Sequence, residues 1–208
     1  NVTFKRNTTK IRRYDYTYWS SPVANQNLIA FSPVTRADKY YSWNHITQDW
    51  DFAPPLTPIM TPGTGYIIRA PDDFAIAGAG VVWEGSFFGV PNNGNVNVWV
   101  SGTTDTDPLL AKWNLIGNPY PSALNAFDFF DDNSAVLDGT FYVWTHNSTP
   151  SSAYSGPYTY NYNVNDYASF NKTGPSSGIG QAAGAPDPVE VGFIPNYTVP
   201  DQYIASGQ

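Results

Sequence analysis

The sequence contains no cysteine and few charged side chains, and each absence excludes a class of function. Without cysteine there is no disulfide, no thiolate metal site and no cysteine nucleophile. Lysine and arginine number 10 against 17 acidic residues, which gives a formal net charge of −7. A nucleic-acid-binding surface needs a basic stripe that neutralises phosphates. We therefore predict that nucleic acids are not partners of this protein.

Long hydrophobic runs are also missing. No stretch approaches the roughly 18 apolar residues that span a bilayer, so we predict no membrane insertion. The first residues, Asn1 to Thr3, do not resemble a signal peptide. We therefore expect a processed or excised N-terminus, and we interpret the chain as a fragment of a longer polypeptide.

Catalytic motifs are absent as well. The chain has no Gly-x-Ser-x-Gly nucleophile elbow and only two histidines. Three acidic clusters, Asp72-Asp73, Asp105-x-Asp107 and Asp131-Asp132, have the residue type of a glycosidase pair. Their turn-like settings favour solvation or capping instead. We therefore predict that this domain is not an enzyme.

Aromatic residues, by contrast, are abundant. They make up 16% of the chain, with 15 tyrosines, 12 phenylalanines and 7 tryptophans. Because only 13% of the residues are charged, the surface must consist largely of Asn, Thr, Ser, Gly and Tyr. This composition is typical of extracellular proteins and rare among helical cytosolic enzymes. The length of 208 residues suits one large all-β domain or two small ones.

Local patterns predict mostly strands. Tyr14, Tyr16 and Tyr18 alternate with Asp15 and Thr17, which is the period of a half-buried strand. An Asn-Gly pair within residues 91–94 predicts a hairpin between residues 81–90 and 95–100.

The remaining patterns predict helical turns, three strands and a loop. One helical turn is expected at residues 27–31, and a helix of about two turns, capped by Ser122, within residues 121–132. Residues 140–145 are apolar on both faces and predict a central strand. Residues 147–200 predict a long Gly/Ser/Tyr-rich loop with short strands at 167–170 and 189–194.

One sequence pattern occurs twice. The stretch WNLIGNPYPSAL, residues 113–124, aligns without a gap with the earlier YTYWSSPV, residues 16–23. Tyr16 aligns with Trp113, and Pro22 aligns with Pro119. Both copies are aromatic-led strands that stop at a small polar pair and a proline, which cannot donate to a ladder.

A second correspondence involves both histidines. Tyr-Ser-Trp-Asn-His at residues 41–45 matches Tyr-Val-Trp-Thr-His at residues 142–146. Isolated histidines could form a metal pair or an acid/base pair. Their shared place at the end of a repeated strand favours hydrogen bonding to a turn instead. The positions expected to serve as repeated scaffold are Trp19, Pro22, Trp43, His45, Trp113, Pro119, Trp144 and His146.

A third correspondence is partial. Residues 59–65 lead into the apolar strand YIIRA, and residues 204–208 resemble the same lead-in without the strand that follows. We hypothesise that a neighbouring segment occupies the vacant strand position, as in donor-strand complementation. The sequence as a whole predicts a single sandwich-like all-β domain, residues 1–208, of two related halves at about 1–94 and 95–208.

The ordered motifs YDYTYWSSPVANQ, MTPGTGYIIRAP, FFGVPNNGNVNV, WNLIGNPYPSAL, YVWTHN and YIASGQ resemble a module of large secreted and cell-surface proteins of Flavobacterium-like Bacteroidetes. Such proteins are often exported by the type IX secretion route and include adhesins. The resemblance implies a secreted, surface-exposed structural or adhesive module of a surface protein or filament. Its expected partners are neighbouring domains or copies of the same protein. The resemblance supplies no catalytic residues.

The competing hypothesis is a carbohydrate-binding module. Exposed tryptophan and tyrosine rings stack on sugar faces while polar side chains bind hydroxyl groups. Tryptophans outside the repeats and tyrosines of the long loop are the candidates for this role, although the same tyrosines could fold back onto the sheet. The glycan-binding candidates are Trp50, Trp83, Trp99, Tyr158, Tyr160 and Tyr162.

A structural calcium ion is the one cofactor that the sequence suggests. Asp105 and Asp107 form one cluster of hard oxygen ligands, and Asp131 and Asp132 form another. Neither cluster has the glycine and distal glutamate of an EF-hand loop. No other cofactor is predicted.

Overall fold

The protein folds as an all-β domain. The computed structural model describes residues 1–53, 59–102, 112–137, 140–144, 148–156, 159–163, 166–171, 174–176 and 203–207. The predicted strand at 189–194 lies outside these residues. The described elements are β1 Val2–Ile11, β2 Tyr16–Trp19, α1 Leu28–Phe31, β3 Tyr40–Asn44, β4 Asp49–Phe52, β5 Tyr66–Arg69, β6 Val81–Gly89, β7 Leu124–Asn125, α2 Ala126–Asp132, β8 Thr140–Trp144, β9 Tyr167–Asn171, β10 Gly174–Ser176 and β11 Tyr203–Ile204.

The strands form antiparallel sheets. The largest has the order β2-β5-β3-β4, so β5 lies between β2 and β3. β1 and β6 form a long ribbon, β8, β9 and β10 form a third sheet, and β7 pairs with β11. The predicted all-β class is confirmed. The sandwich-like arrangement and the two related halves stay predictions.

Three sequence predictions about strands are wrong. The aromatic-led strand expected from Trp113 is absent, and Ile116 forms only an isolated bridge with Thr64. Residues 95–100 form no strand, and β6 pairs with β1 instead. The backbone N–H of Asn92 donates to the Pro22 carbonyl at 3.0 Å, which leads the chain away from β6. β8, predicted to be central, is the last strand of its sheet in the described part of the chain.

Both helices begin at an asparagine cap. Asn27 Oδ1 accepts the N–H of Ala30 at 2.9 Å, and Asn125 Oδ1 accepts the N–H of Phe127 at 2.9 Å. Such side chains satisfy donors that the first helical turn leaves unpaired. Ser122 is not the cap of α2, because residues 124–125 first pair with β11. Neither helix is long and apolar enough to cross a membrane, and the described residues contain no other helix.

An aromatic cluster forms the main core. Trp19 of β2, Phe31 of α1 and Phe87 of β6 are buried, and the rings of Phe31 and Phe87 stack at 4.4 Å. Trp83 packs edge-to-face on Trp19 at 5.4 Å. Gly85 lies against this cluster, and a Cβ there would come within 2.6 Å of Phe31 and 2.9 Å of Trp19. The close approach of these rings therefore requires a glycine.

A surface carboxylate joins β5 to the turn after β1. Asp72 accepts a hydrogen bond from Arg69 at 2.5 Å, and its other oxygen lies 2.9 Å from Arg13. The hydrogen bond from Arg13, together with the charges of both arginines, holds the pKa of Asp72 below its ordinary value. A depressed pKa means that folding favours the ionised carboxylate.

We expect Gly85→Val to lower the free energy of unfolding by about 1–3 kcal/mol, because overpacking forces the rings apart. Denaturant unfolding followed by tryptophan fluorescence measures this change. Gly102→Val is the matched control, because a Cβ at that glycine meets nothing within 4 Å. Equal stability of the two variants would contradict the packing argument.

The contribution of Asp72 to stability should be present at neutral pH and disappear as the pH falls through its depressed folded-state pKa. Asp72→Asn should therefore lower the Tm at pH 7 and have a smaller effect at pH 3. Thermal melts between pH 3 and pH 7 test this. Asp73→Asn, at the exposed neighbouring position, is the control. A loss from Asp72→Asn that does not depend on pH would rule out the charge-based explanation.

Candidate functional site

Three tryptophans meet where the β3–β4 hairpin contacts residue 113. Trp43 and Trp50 face each other across the two strands, with their rings edge-to-face at 5.0 Å. The indole N–H of Trp43 donates to the Trp113 carbonyl at 2.8 Å. Trp113 is 53% exposed and Trp50 is 37% exposed. We call these three residues the tryptophan platform.

The side-chain amide of Gln48 fixes the platform, because it hydrogen-bonds to the main chain of Trp113 as a neighbouring strand would. Its side-chain oxygen accepts the N–H of Trp113 at 2.7 Å, and its side-chain nitrogen donates to the Trp113 carbonyl at 3.1 Å. The same nitrogen donates to the His45 carbonyl at 2.6 Å. Gln48 has a positive φ of 59°, which turns the chain from β3 into β4. One amide thus satisfies both backbone groups of Trp113.

His45 holds a second segment beside the platform. Its Nδ1 lies 2.7 Å from Ser101 Oγ, and Asn114 binds both the N–H and the carbonyl of Ser101 at 2.8 Å. Trp99, two residues before Ser101, is 88% exposed. His45 therefore holds the segment around Ser101, and its role as repeated scaffold stays a prediction.

Trp83 is better described as part of the core than as a ligand-binding residue. Its ring contacts Trp19 at 5.4 Å and Phe31 at 5.3 Å, both edge-to-face, and it packs against the main core. The expectation that Trp83 would be exposed because it lies outside the repeats is therefore wrong. Burial depends on the β1–β6 pairing, which the sequence pattern did not predict.

The tyrosines of the long loop fold back onto the residues around β2. Tyr162 donates to the Tyr14 carbonyl at 2.6 Å, and Tyr160 stacks on the Tyr14 ring at 6.1 Å while staying 52% exposed. The hydroxyl groups of Tyr18 and Tyr167 are 2.5 Å apart. Packing, one of the two roles considered for these tyrosines, is thus what the contacts show. Tyr158 lies outside the described residues.

A single side chain connects the corner after β2 with the segment at Pro119. Asn92 Nδ2 donates to the Ser21 carbonyl at 3.0 Å and to the Pro119 carbonyl at 2.8 Å. Pro22 and Pro119 are both buried. The scaffold residue Trp144 contacts Tyr167 at 5.0 Å.

The acidic candidates do not form a metal site in the described part of the chain. Asp131 and Asp132 are exposed at the end of α2. No group of three or more His, Cys, Asp or Glu side chains within the described ranges could hold a metal ion. Asp105, Asp107 and His146 lie outside those ranges.

Comparison with protein families gives one result. A family model described as a domain of unknown function (DUF8693) matches residues 1–208. The chain belongs to this family. No curated protein and no solved structure gives a significant match. Membership of DUF8693 therefore assigns no activity, and functional inference rests on the platform and the contacts around it.

Sequence reasoning missed Gln48, Ser101 and Asn114. The alternation of polar and aromatic residues on both sides of Thr47-Gln48 is a hairpin signal that could have located the turn. Gln48 binds Trp113, which is 65 residues away, and Ser101 binds His45, which is 56 residues away. No local sequence pattern encodes contacts over such distances.

Gln48→Ala should lower the free energy of unfolding by about 0.5–1.5 kcal/mol, because the N–H of Trp113 loses its acceptor and the Trp113 carbonyl keeps only the Trp43 indole as a donor. It should also change the Trp113 environment, detected as a shift in fluorescence emission. Thr47→Ala, at the exposed neighbouring turn position, is the control. If both variants unfold at the same denaturant concentration, Gln48 does not anchor the platform.

Proposed function

We propose that this domain is a non-catalytic structural and adhesive module of a secreted bacterial surface protein or filament. In this proposal the tryptophan platform, with Trp99 nearby, contacts neighbouring domains or further copies of the same protein. Export by the type IX route is part of the proposal and rests on the resemblance of the sequence motifs.

One observation carries the proposal: exposed tryptophans lie on a backbone that hydrogen bonds hold in place. Trp50 and Trp113 remain exposed although Gln48 and Trp43 fix the surrounding main chain. Tryptophan is enriched in the centres of protein interfaces, where it buries a large area at little cost in conformational entropy. A preordered aromatic surface of this kind favours adhesion.

The described polar side chains support a structural role. Asn92, Asn114, Asn118 and Gln48 all hydrogen-bond to the main chain, and the imidazole of His45 binds Ser101. Each of these groups has a partner that explains its position. We propose no cofactor for the module apart from a loop-stabilising Ca²⁺ at Asp105 and Asp107, which lie outside the described residues.

Carbohydrate binding is a second candidate, which the exposure of Trp50 favours. The Trp50 ring is 37% exposed beside the Trp43 ring, and exposed aromatic rings can stack on sugar faces. Trp99, at 88% exposure, would add a further stacking face.

Beads coated with the domain test the proposal. We expect coated beads to adhere to one another, and the Trp50→Ala/Trp99→Ala double variant to lose most of this adhesion while keeping its Tm. The control is Ile46→Ala, because Ile46 is 74% exposed in the turn of the same hairpin. Adhesion is measured as the fraction of clustered beads at fixed surface density.

The same variants distinguish the second candidate. Retention on cellulose or chitin particles that the double variant abolishes, with beads that stay dispersed, would establish carbohydrate binding and contradict self-adhesion. Dispersed beads without polysaccharide retention would contradict both candidates.

A further inference from the structure

Tyrosines around β2 meet tyrosines of residues 160–167. β2 buries Thr17 and Trp19 on one face, and Tyr16 and Tyr18 therefore point to the other. Each of these two tyrosines, like Tyr14 before the strand, contacts one tyrosine of the later segment. The contacts are Tyr14 with Tyr160 at 6.1 Å and Tyr16 with Tyr162 at 6.0 Å between ring centroids, and Tyr18 with Tyr167 at 2.5 Å between hydroxyl oxygens. Two parts of the chain that are distant in sequence are thus joined through phenol rings.

The Tyr18–Tyr167 contact differs from the other two because it joins the hydroxyl groups. With their oxygens 2.5 Å apart, one hydroxyl donates a hydrogen bond to the other. The hydroxyl of Tyr162 instead donates to the Tyr14 carbonyl at 2.6 Å, and Tyr14 and Tyr160 stack with 15° between their ring planes. The ring carbons that flank each C–O group of Tyr18 and Tyr167 therefore lie near the edge where the two rings meet.

Both residues of this pair are held in place. The Tyr167 ring packs edge-to-face on Trp144 at 5.0 Å, its partner in the β8–β9 pairing, and Tyr18 pairs with Ile67 of β5. Tyr167 nevertheless remains 36% exposed, so an oxidant can reach this residue from solvent. Two groups held at contact distance react faster with each other than with groups on other molecules.

A covalent link between these residues would restrain a chain that has no disulfide. The sequence contains no cysteine, so no disulfide limits the conformations of its unfolded state. Tyr18 and Tyr167 are separated by 149 positions in the sequence. Closing so long a loop removes conformational entropy from the unfolded chain and thereby stabilises the folded one.

We propose that Tyr18 and Tyr167 form an oxidative modification site, at which a peroxide-dependent one-electron oxidant joins the two rings into dityrosine. This modification goes beyond the adhesive contacts proposed above, because it does not depend on the tryptophan platform.

The reaction is a two-electron oxidation of the tyrosine pair. Each phenol loses its hydroxyl proton and one electron, and the two phenoxyl radicals form a bond between carbons next to their C–O groups. Each of these carbons then gives up its hydrogen as a proton, and each phenolic oxygen takes up one proton again. The pair has then lost two electrons and two protons, which reduce one hydrogen peroxide to two molecules of water at a haem peroxidase.

Treatment of the dilute protein with a haem peroxidase and hydrogen peroxide tests the proposal. We expect dityrosine fluorescence, a monomer whose mass is lower by two hydrogen atoms, and a cross-linked peptide in which fragment spectra locate Tyr18 and Tyr167. The cross-linked monomer should have a Tm higher by roughly 5–10 °C.

Tyr18→Phe and Tyr167→Phe, which each remove one hydroxyl group, should lose most of the dityrosine fluorescence. Thermal melts before oxidation check that both variants are folded. Tyr160→Phe is the matched control and should keep the full yield, because Tyr160 is 52% exposed in the same segment and stacks on Tyr14.

Three results would overturn the proposal. The first is a failure to form dityrosine, or a yield that neither phenylalanine variant of the pair reduces. The second is a link that maps to another pair of tyrosines or joins different molecules. The third is full conversion without a rise in Tm, which would show that the link does not preserve the native contact. None of these results depends on bead adhesion, so the two proposals fail independently.

Discussion

The fold depends on how the backbone is satisfied at two buried corners that end in proline. Proline carries no N–H, and a buried carbonyl without a donor costs about 1–3 kcal/mol. Asn92 supplies hydrogen-bond donors to the carbonyls of both corners. Its main-chain N–H binds the Pro22 carbonyl, and its side chain binds the carbonyls of Ser21 and Pro119. The two corners are therefore held in one arrangement from which the sheets extend.

Three further amide side chains bind main-chain groups in the same way. Asn118 Nδ2 binds the Ser122 and Ile204 carbonyls, Asn114 pairs with Ser101, and Gln48 pairs with Trp113. Uncharged amides have both a donor and an acceptor, so each can replace a peptide group of a missing strand. This explains physically how a chain with only 13% charged residues fixes its irregular segments.

Local patterns predicted the elements that local chemistry determines. The all-β class was predicted from the strand patterns, and the short strand predicted at residues 167–170 corresponds to β9. The sequence did not predict that β6 pairs with β1, that Asn125 caps α2 or that Trp83 packs against the core. They depend on contacts such as β1 with β6 and β7 with β11, which are distant in sequence. Of the candidate site, the sequence identified Trp50 and Trp99 but not the amide of Gln48 that organises their surroundings.

The contact between Arg6 and the last described residue has a mechanical consequence. Arg6 Nη1 donates to the Gly207 carbonyl at 3.0 Å, and the N–H of Ser20 donates to the same oxygen at 3.0 Å. The Arg6 guanidinium also lies over the Trp19 ring at 5.1 Å. A pulling force applied through β1 and residue 207 would load this clasp before it reached the aromatic cluster.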